Sequence, residues 1–213
     1  GRSLAQSLSC GGVTMLLLVR HATTGETTRT LPTAGGRAGE DPGARLDARG
    51  RADAAGLRGH LPTADTVWSS HARRAVDTAL LALRAPDEQL DALAEADFGA
   101  WAGRELAAVH TEDPMAAAAW MTDPRSAPPG GESFTLLRAR ARRLLGRAAQ
   151  ADTTIAAFTH GGFIRAAVTT VLRAPSRAAW AVTVPPASVT VLTIRDDVWQ
   201  IGALGWRPTL VVS

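Results

Sequence analysis

Short aliphatic runs alternate with Ala/Leu/Arg helical patterns along most of this chain, and that alternation leaves few ways to fold. It predicts an α/β domain, a three-layer sandwich with a mainly parallel central sheet and helices on both faces. Strands are expected at residues 14–19, 65–68, 153–159, 188–194 and 197–203. Helical patterns fill 50–59, 72–84, 133–149 and 161–172, with Leu136, Leu137, Leu144 and Leu145 at helical spacing. The last two strands meet at Arg195-Asp196-Asp197, which predicts an antiparallel hairpin at the C-terminal edge of the sheet. Two segments fall outside the pattern. Residues 22–45 are rich in Gly, Thr and Arg, and residues 96–131 hold Trp101, Trp120 and a "PPGG" stretch. Long connections of this kind are commonly functional loops or lids. The expected organisation is a leader or N-terminal extension over 1–14 and a single domain over 15–213, with a lid insertion at 96–131.

With 213 residues, 46% of them hydrophobic, the chain can build one sizeable core and has too few residues for two. Its single cysteine, Cys10, rules out an intrachain disulfide and fits a reducing, cytoplasmic setting. The run "VTMLLLV" falls far short of the roughly 20 residues a membrane span needs, so no membrane partner is expected. The sequence pI of about 10.7 suggests a polyanion ligand at first sight. The formal net charge is only +3, however, and the arginines alternate with acids without any basic run of interleaved aromatics. No nucleic-acid partner is expected either.

Chemistry is concentrated where strands end. "LLLVRHATTGE" places Arg20 and His21 directly behind an aliphatic strand, at the carboxyl edge where parallel sheets collect ligands. "IAAFTHGGFIRAA" repeats the arrangement: a strand ends at Thr159 and delivers His160 and two glycines to a helix start, whose free N–H groups and dipole attract an anion. A third strand, "DTVWSS", runs through "HARRAVDTA" and brings Arg73 or Arg74 to the same edge. One histidine at a strand end is ordinarily structural. Two histidines and two arginines on one rim repel each other unless a dianion sits among them, and phosphate oxygens match guanidinium forks.

Taken together and in order, these segments resemble the histidine phosphatase superfamily, also called phosphoglycerate-mutase-like. "LVRHATTGET" is similar to its RHG signature, "SSHARRAVDTA" to its arginine helix, "EADFGAWAG" to its acid segment and "FTHGGFIR" to its second histidine segment, with "PPGGESF" also recurring in such proteins. The resemblance implies that His21 is the phosphate-accepting nucleophile and that Arg20, Arg74 and His160 hold the phosphoryl oxygens. Arg74 rather than Arg73 takes that role because it directly precedes the alanine of the motif. Glu95 is implied to protonate the leaving oxygen, relying on the substrate's charge and on partial burial to carry its proton. Gly161 is implied to bind phosphate through the start of its helix, and Thr24 and Thr27 to contact substrate.

Departures from the family pattern also show. Ala22 stands where a glycine usually follows the first histidine, and Thr27 where an asparagine is common. Neither change removes a charge, so altered substrate contacts with intact chemistry are expected. His60 and His110 read as surface residues, and His71 as a weaker substrate contact. No cluster has metal-ligand spacing, so neither metal nor other cofactor is expected. The resulting expectation is a metal-independent phosphomonoesterase working through a covalent phosphohistidine on a small phosphorylated metabolite, with room for a homodimer. Its rivals are a mutase, which would re-donate the phosphoryl group, and a catalytically silent phospholigand sensor. The substrate is expected to be chosen by residues 22–45 and 96–131, through Trp101 and Trp120 for apolar contact and Arg29, Arg37 and Arg104 for polar contact.

Overall fold

The computed structural model describes residues 14–25, 30–32, 38–39 and 43–208. One sheet organises them, with strands β1 (Met15–Arg20), β2 (Thr66–Ser69), β3 (Glu88–Gln89), β4 (Thr154–Thr159), β5 (Val189–Arg195) and β6 (Val198–Trp206). Their spatial order is β3-β2-β4-β1-β5-β6. Strands β1 to β4 run parallel, while β5 lies antiparallel to both β1 and β6. Helices α1 (Ala48–Ala55), α2 (Arg73–Ala82), α3 (Leu106–Glu112), α4 (Pro114–Thr122), α5 (Phe134–Ala149) and α6 (Gly161–Val171) surround the sheet. This is the expected three-layer α/β architecture.

Strand β1 explains the layering. Because successive side chains point to opposite faces, Met15, Leu17 and Val19 join one core while Leu16 and Leu18 join the other. Ala156 and Phe158 of β4 continue the first core, which Ala54 of α1 and Ala75, Ala79 and Ala82 of α2 cover. Ile155 and Ala157 continue the second, covered by Leu137, Ala141 and Leu144 of α5 and Phe163, Ile164 and Val168 of α6. A strand buried on both faces must be aliphatic throughout, and "MLLLV" is. The edge strand β6 instead alternates exposed with partly buried positions. Its hairpin turns through Asp196 and Asp197 at φ 50° and 60°, the left-handed pair that a two-residue hairpin needs and that aspartate tolerates. Thr14 is buried beside the sheet, and its carbonyl accepts a hydrogen bond from Ile194 N.

The segment 96–131 is ordered into a 3-10 turn (Gly99–Trp101) and the short helices α3 and α4. Asp113 caps α4 by accepting from Ala116 N, with Pro114 at the first helical position. A satellite core of Leu31, Phe98, Trp101, Val109 and Ala117 holds this segment together. It is also sewn to residues 30–32, since Leu31 exchanges backbone hydrogen bonds with Arg104 O and Gly103 N. Residues 30–32 of the first irregular segment are thereby joined to the second. Among the described residues, no helix is long and apolar enough to cross a membrane.

Candidate active site

The carboxyl ends of β1, β2 and β4 open on one cavity of about 290 Å³, lined by Arg20, His21, Arg74, Glu95, Gly161 and Gly162 among others. Pairing explains the convergence. Arg20 is in register with Thr159, so His21 and His160 leave neighbouring strand ends side by side. Their ring centroids are 5.1 Å apart.

Each imidazole is oriented by a specific partner. His21 Nδ1 lies 2.8 Å from the carbonyl of Ala22. A carbonyl can only accept, so Nδ1 carries the proton and Nε2 keeps its lone pair. The same Ala22, fully buried, donates its N–H to Thr78 Oγ1 at 3.0 Å, and Thr78 in turn donates to Arg74 O at 2.7 Å. The first turn of α2 is thereby tied to the loop that holds His21. His160 Nδ1 faces Arg74 Nη2 at 3.4 Å and its Nε2 faces Ser70 Oγ at 2.8 Å. Because guanidinium only donates, Nδ1 accepts and Nε2–H points to Ser70.

Burial holds both imidazoles well below the ordinary histidine range. At His21 the charges of Arg74 and then Arg20 add to that, and at His160 Arg74 does so first. Burial also lowers the Arg20 guanidinium, with Glu95 pulling the other way. Arg20 donates from Nη1 to Val184 O at 2.6 Å, while its Nε is buried without a hydrogen-bond partner among the described residues. A Cβ at Gly161 would stand 3.4 Å from that Nε. Arg74 is 2% exposed, whereas Arg73 turns outward to pair with Asp77 at 2.9 Å.

Glu95 arrives from the segment after β3. Its carboxylate accepts from Ala96 N at 2.9 Å and from Gly162 N at 3.2 Å, within the first turn of α6. A Cβ at residue 162 would lie 2.3 Å from Glu95 Oε1, so only glycine admits the carboxylate there. Behind it, Arg140 spends all five guanidinium N–H groups. Two go to Glu132, at 3.2 and 2.6 Å, and three to the carbonyls of Ala92, Ala94 and Glu95, at 3.0, 2.6 and 3.2 Å. The acid segment and the "PPGGES" segment abut directly, with Glu132 N donating to Asp97 O and Ala100 N to Pro129 O. Gly99, at φ +48°, allows this because a Cβ would fall 2.2 Å from Pro129 O.

Other expected contacts divide. Thr24 lines the cavity and bridges Leu46, while Thr27, Arg29 and Arg37 lie outside the described residues. Trp120 lines the cavity, but Trp101 is buried behind it, edge-on at 5.9 Å. Arg104 pairs with Glu112, and His71 faces Asp91 at 3.4 Å. His110 is exposed at the end of α3, and His60 packs near Trp206. Sequence reading missed Ser70, Thr78, Glu132, Arg140 and Trp180. The "SS" before the arginine helix and the "GES" triplet were visible signals for the first and third. No group of three or more His, Cys, Asp or Glu comes together among the described residues to hold a metal ion.

Arg20, His21, the buried Arg74 and the first turn of α6 line one cavity, with His160 beside His21 and the Glu95 carboxylate at the side, an arrangement whose chemistry suits a tetrahedral dianion. Residues 16–207 match the model of the histidine phosphatase superfamily, branch 1. The chain belongs to that superfamily. Among solved structures it is similar to the α-ribazole phosphatase of Shigella flexneri, at 25% identity over 91% of this chain and 96% of that one, with a TM-score of 0.75. It is also similar to the mycobacterial glucosyl-3-phosphoglycerate phosphatase, at 26% identity, 91% and 99% coverage and a TM-score of 0.75. A bifunctional protein of Mycobacterium tuberculosis is 36% identical over 136 residues, which are 62% of this chain and 36% of that protein. The chain thus spans little more than a third of the length of that curated relative.

Proposed function

We propose that this histidine phosphatase domain is a metal-independent phosphomonoesterase that hydrolyses a small phosphorylated metabolite through a phosphohistidine at His21. At the level of class, family membership and the phosphatases among its structural neighbours make it a phosphoric monoester hydrolase. The observation that carries the finer reading is the bond from His21 Nδ1 to Ala22 O, which leaves Nε2 unprotonated on a ring that lines the cavity, 5.1 Å from the ring of His160.

In the proposed cycle, the phosphoryl oxygens sit among Arg20, Arg74, His160 and the N–H groups at the start of α6. The buried Arg20 Nε gains a partner there. His21 Nε2 forms a bond to phosphorus as the bond from phosphorus to the alcohol oxygen breaks, and Glu95 delivers a proton to that oxygen. Water then attacks phosphorus. Glu95 takes its proton, the N–P bond breaks with its electron pair returning to Nε2, and inorganic phosphate leaves. The cationic groups stabilise charge as it moves onto the equatorial oxygens.

The test is to quench turnover of a radiolabelled ester in denaturant without acid and locate the label. A phosphate on His21, stable to base and labile to acid, is expected. Label on a serine or aspartate, or near-normal turnover by His21→Ala, overturns the mechanism. Activity is also expected to survive excess chelator, and loss that a divalent ion restores would refute metal independence.

A further inference from the structure

The cavity has two ends of opposite character. Arg20, His21 and Arg74 come to it from the ends of β1 and β2, while Leu31, Phe98, Leu106, Trp120, Phe134 and Trp180 give it a broad carbon lining. We propose that the alcohol carrying the phosphoryl group bears a flat, uncharged, apolar ring that seats on this wall, and that sugar and polyol phosphates are poor substrates. The inference rests on the phosphomonoesterase reading and names its substrate class.

The wall is preformed. Trp120 stands edge-on to Phe98 at 6.0 Å, to Trp101 at 5.9 Å and to Trp180 at 5.1 Å, so the rings fix one another. Trp180 comes from the 3-10 segment Ser176–Ala181, outside both irregular segments, and is 44% exposed. A large, tethered, exposed indole is a surface that gains from being covered. Its one polar group is already used, because Nε1–H donates to Met121 O at 3.1 Å.

Several polar groups that line the cavity are engaged within the protein: Glu132 accepts two bonds from Arg140, Thr23 Oγ1 donates to Asp47 at 3.0 Å, and the Nε of Arg165 donates to Val182 O at 3.0 Å. Sugar hydroxyls placed against this wall would lose water and gain carbon, whereas a ring would gain contact at no such cost.

Three primary alkyl esters of similar leaving-group chemistry test this: 2-naphthylmethyl phosphate, glycerol 1-phosphate and glucose 6-phosphate. The naphthylmethyl ester is expected to have the highest kcat/KM by on the order of 10²-fold. Equal values, or a preference for either polyol ester, overturn the inference. Trp180→Ala, checked for native circular dichroism, should lower kcat/KM for the naphthylmethyl ester about tenfold more than for ethyl phosphate. Equal losses on both esters count against the wall. If no ester is hydrolysed, the phosphatase reading fails by itself. Calorimetric binding of the same three esters then decides: tighter binding of the naphthylmethyl ester supports the apolar seat, and equal or weaker binding overturns it.

Discussion

The phosphate end of the cavity and its mouth are built on different foundations. His21, Arg74 and His160 stand at the tips of β1, α2 and β4, each backed by one of the two large cores, and the side chains of Arg20 and Glu95 are fixed by backbone groups of other segments. The mouth rests on a satellite core of a few residues and on short helices of seven and nine residues. Isolated helices of that length have little stability of their own, so their order depends on Trp101 and its neighbours. In the proposed function, the groups that meet the phosphate are thus placed where the fold is stiffest, and the groups that would select the leaving alcohol can change without disturbing them.

The largest expected effect tests the stiff end. His21→Ala should reduce turnover of any ester by on the order of 10⁴-fold or more, as removal of a nucleophile does elsewhere. Circular dichroism and melting temperature should stay close to those of the parent, because His21 is only partly buried. Trp101→Ala should do the reverse. It should lower stability, since truncating a buried tryptophan costs about 3–5 kcal/mol, yet leave substantial turnover of ethyl phosphate. If Trp101→Ala abolishes turnover of the small ester while remaining folded, the two ends are not independent.

Glu95→Gln comes next, at roughly 10²- to 10⁴-fold for an alkyl ester, whose basic leaving oxygen needs a proton. An activated aryl ester should lose far less. Equal losses on both would move Glu95 from proton donor to a binding role.

How far the stiff end was legible from sequence follows from the same contrast. Strand tips are marked by local patterns, so Arg20, His21 and His160 stood out behind aliphatic runs, and the hairpin turn stood out at Asp196-Asp197. Every long strand and core helix was legible for that reason. The two-residue strand β3 was not, because two residues cannot show an alternation. Helices α3 and α4 were missed because they are short and alanine-rich, and most of their exposed face carries no periodic contrast. The support around Glu95 was hidden for a different reason: Arg140 reaches it across 45 residues of sequence, and an arginine on an amphipathic helix looks solvated until the fold buries it. Trp101 and Trp120 looked equivalent as loop aromatics, and only packing separates the buried one from the one at the cavity.

That hidden support yields a smaller effect, on the order of 10- to 100-fold, which is what a displacement of about 1 Å costs a positioned group. Glu132→Gln keeps the shape of the Arg140 partner but weakens the clamp on the Glu95 backbone. Its loss of kcat should be larger for alkyl than for activated aryl esters, mirroring Glu95→Gln at reduced size. A uniform loss for both ester types would show that the clamp serves folding alone.

The smallest effect concerns pH, and it follows from the partly buried His21 and the buried His160. Their affinity for protons in the folded chain is below that in the unfolded chain, because burial and then Arg74 oppose the charged form. The unfolded state therefore binds more protons once pH drops below the ordinary histidine value of about 6.5, and stability must fall with pH there, by up to about 1.4 kcal/mol per pH unit for each histidine. Melting temperature should decline from pH 7 to pH 5, and a His160→Gln variant should show a shallower decline over the same interval. Catalysis should persist to lower pH than with an ordinary imidazole nucleophile. Since kcat/KM reports the free enzyme, its acid limb, corrected for ionisation of the substrate, should lie below pH 6.5. A limb at or above that value would mean that His21 is protonated in the free site, and the stiff, cation-lined end would then not be holding its nucleophile ready.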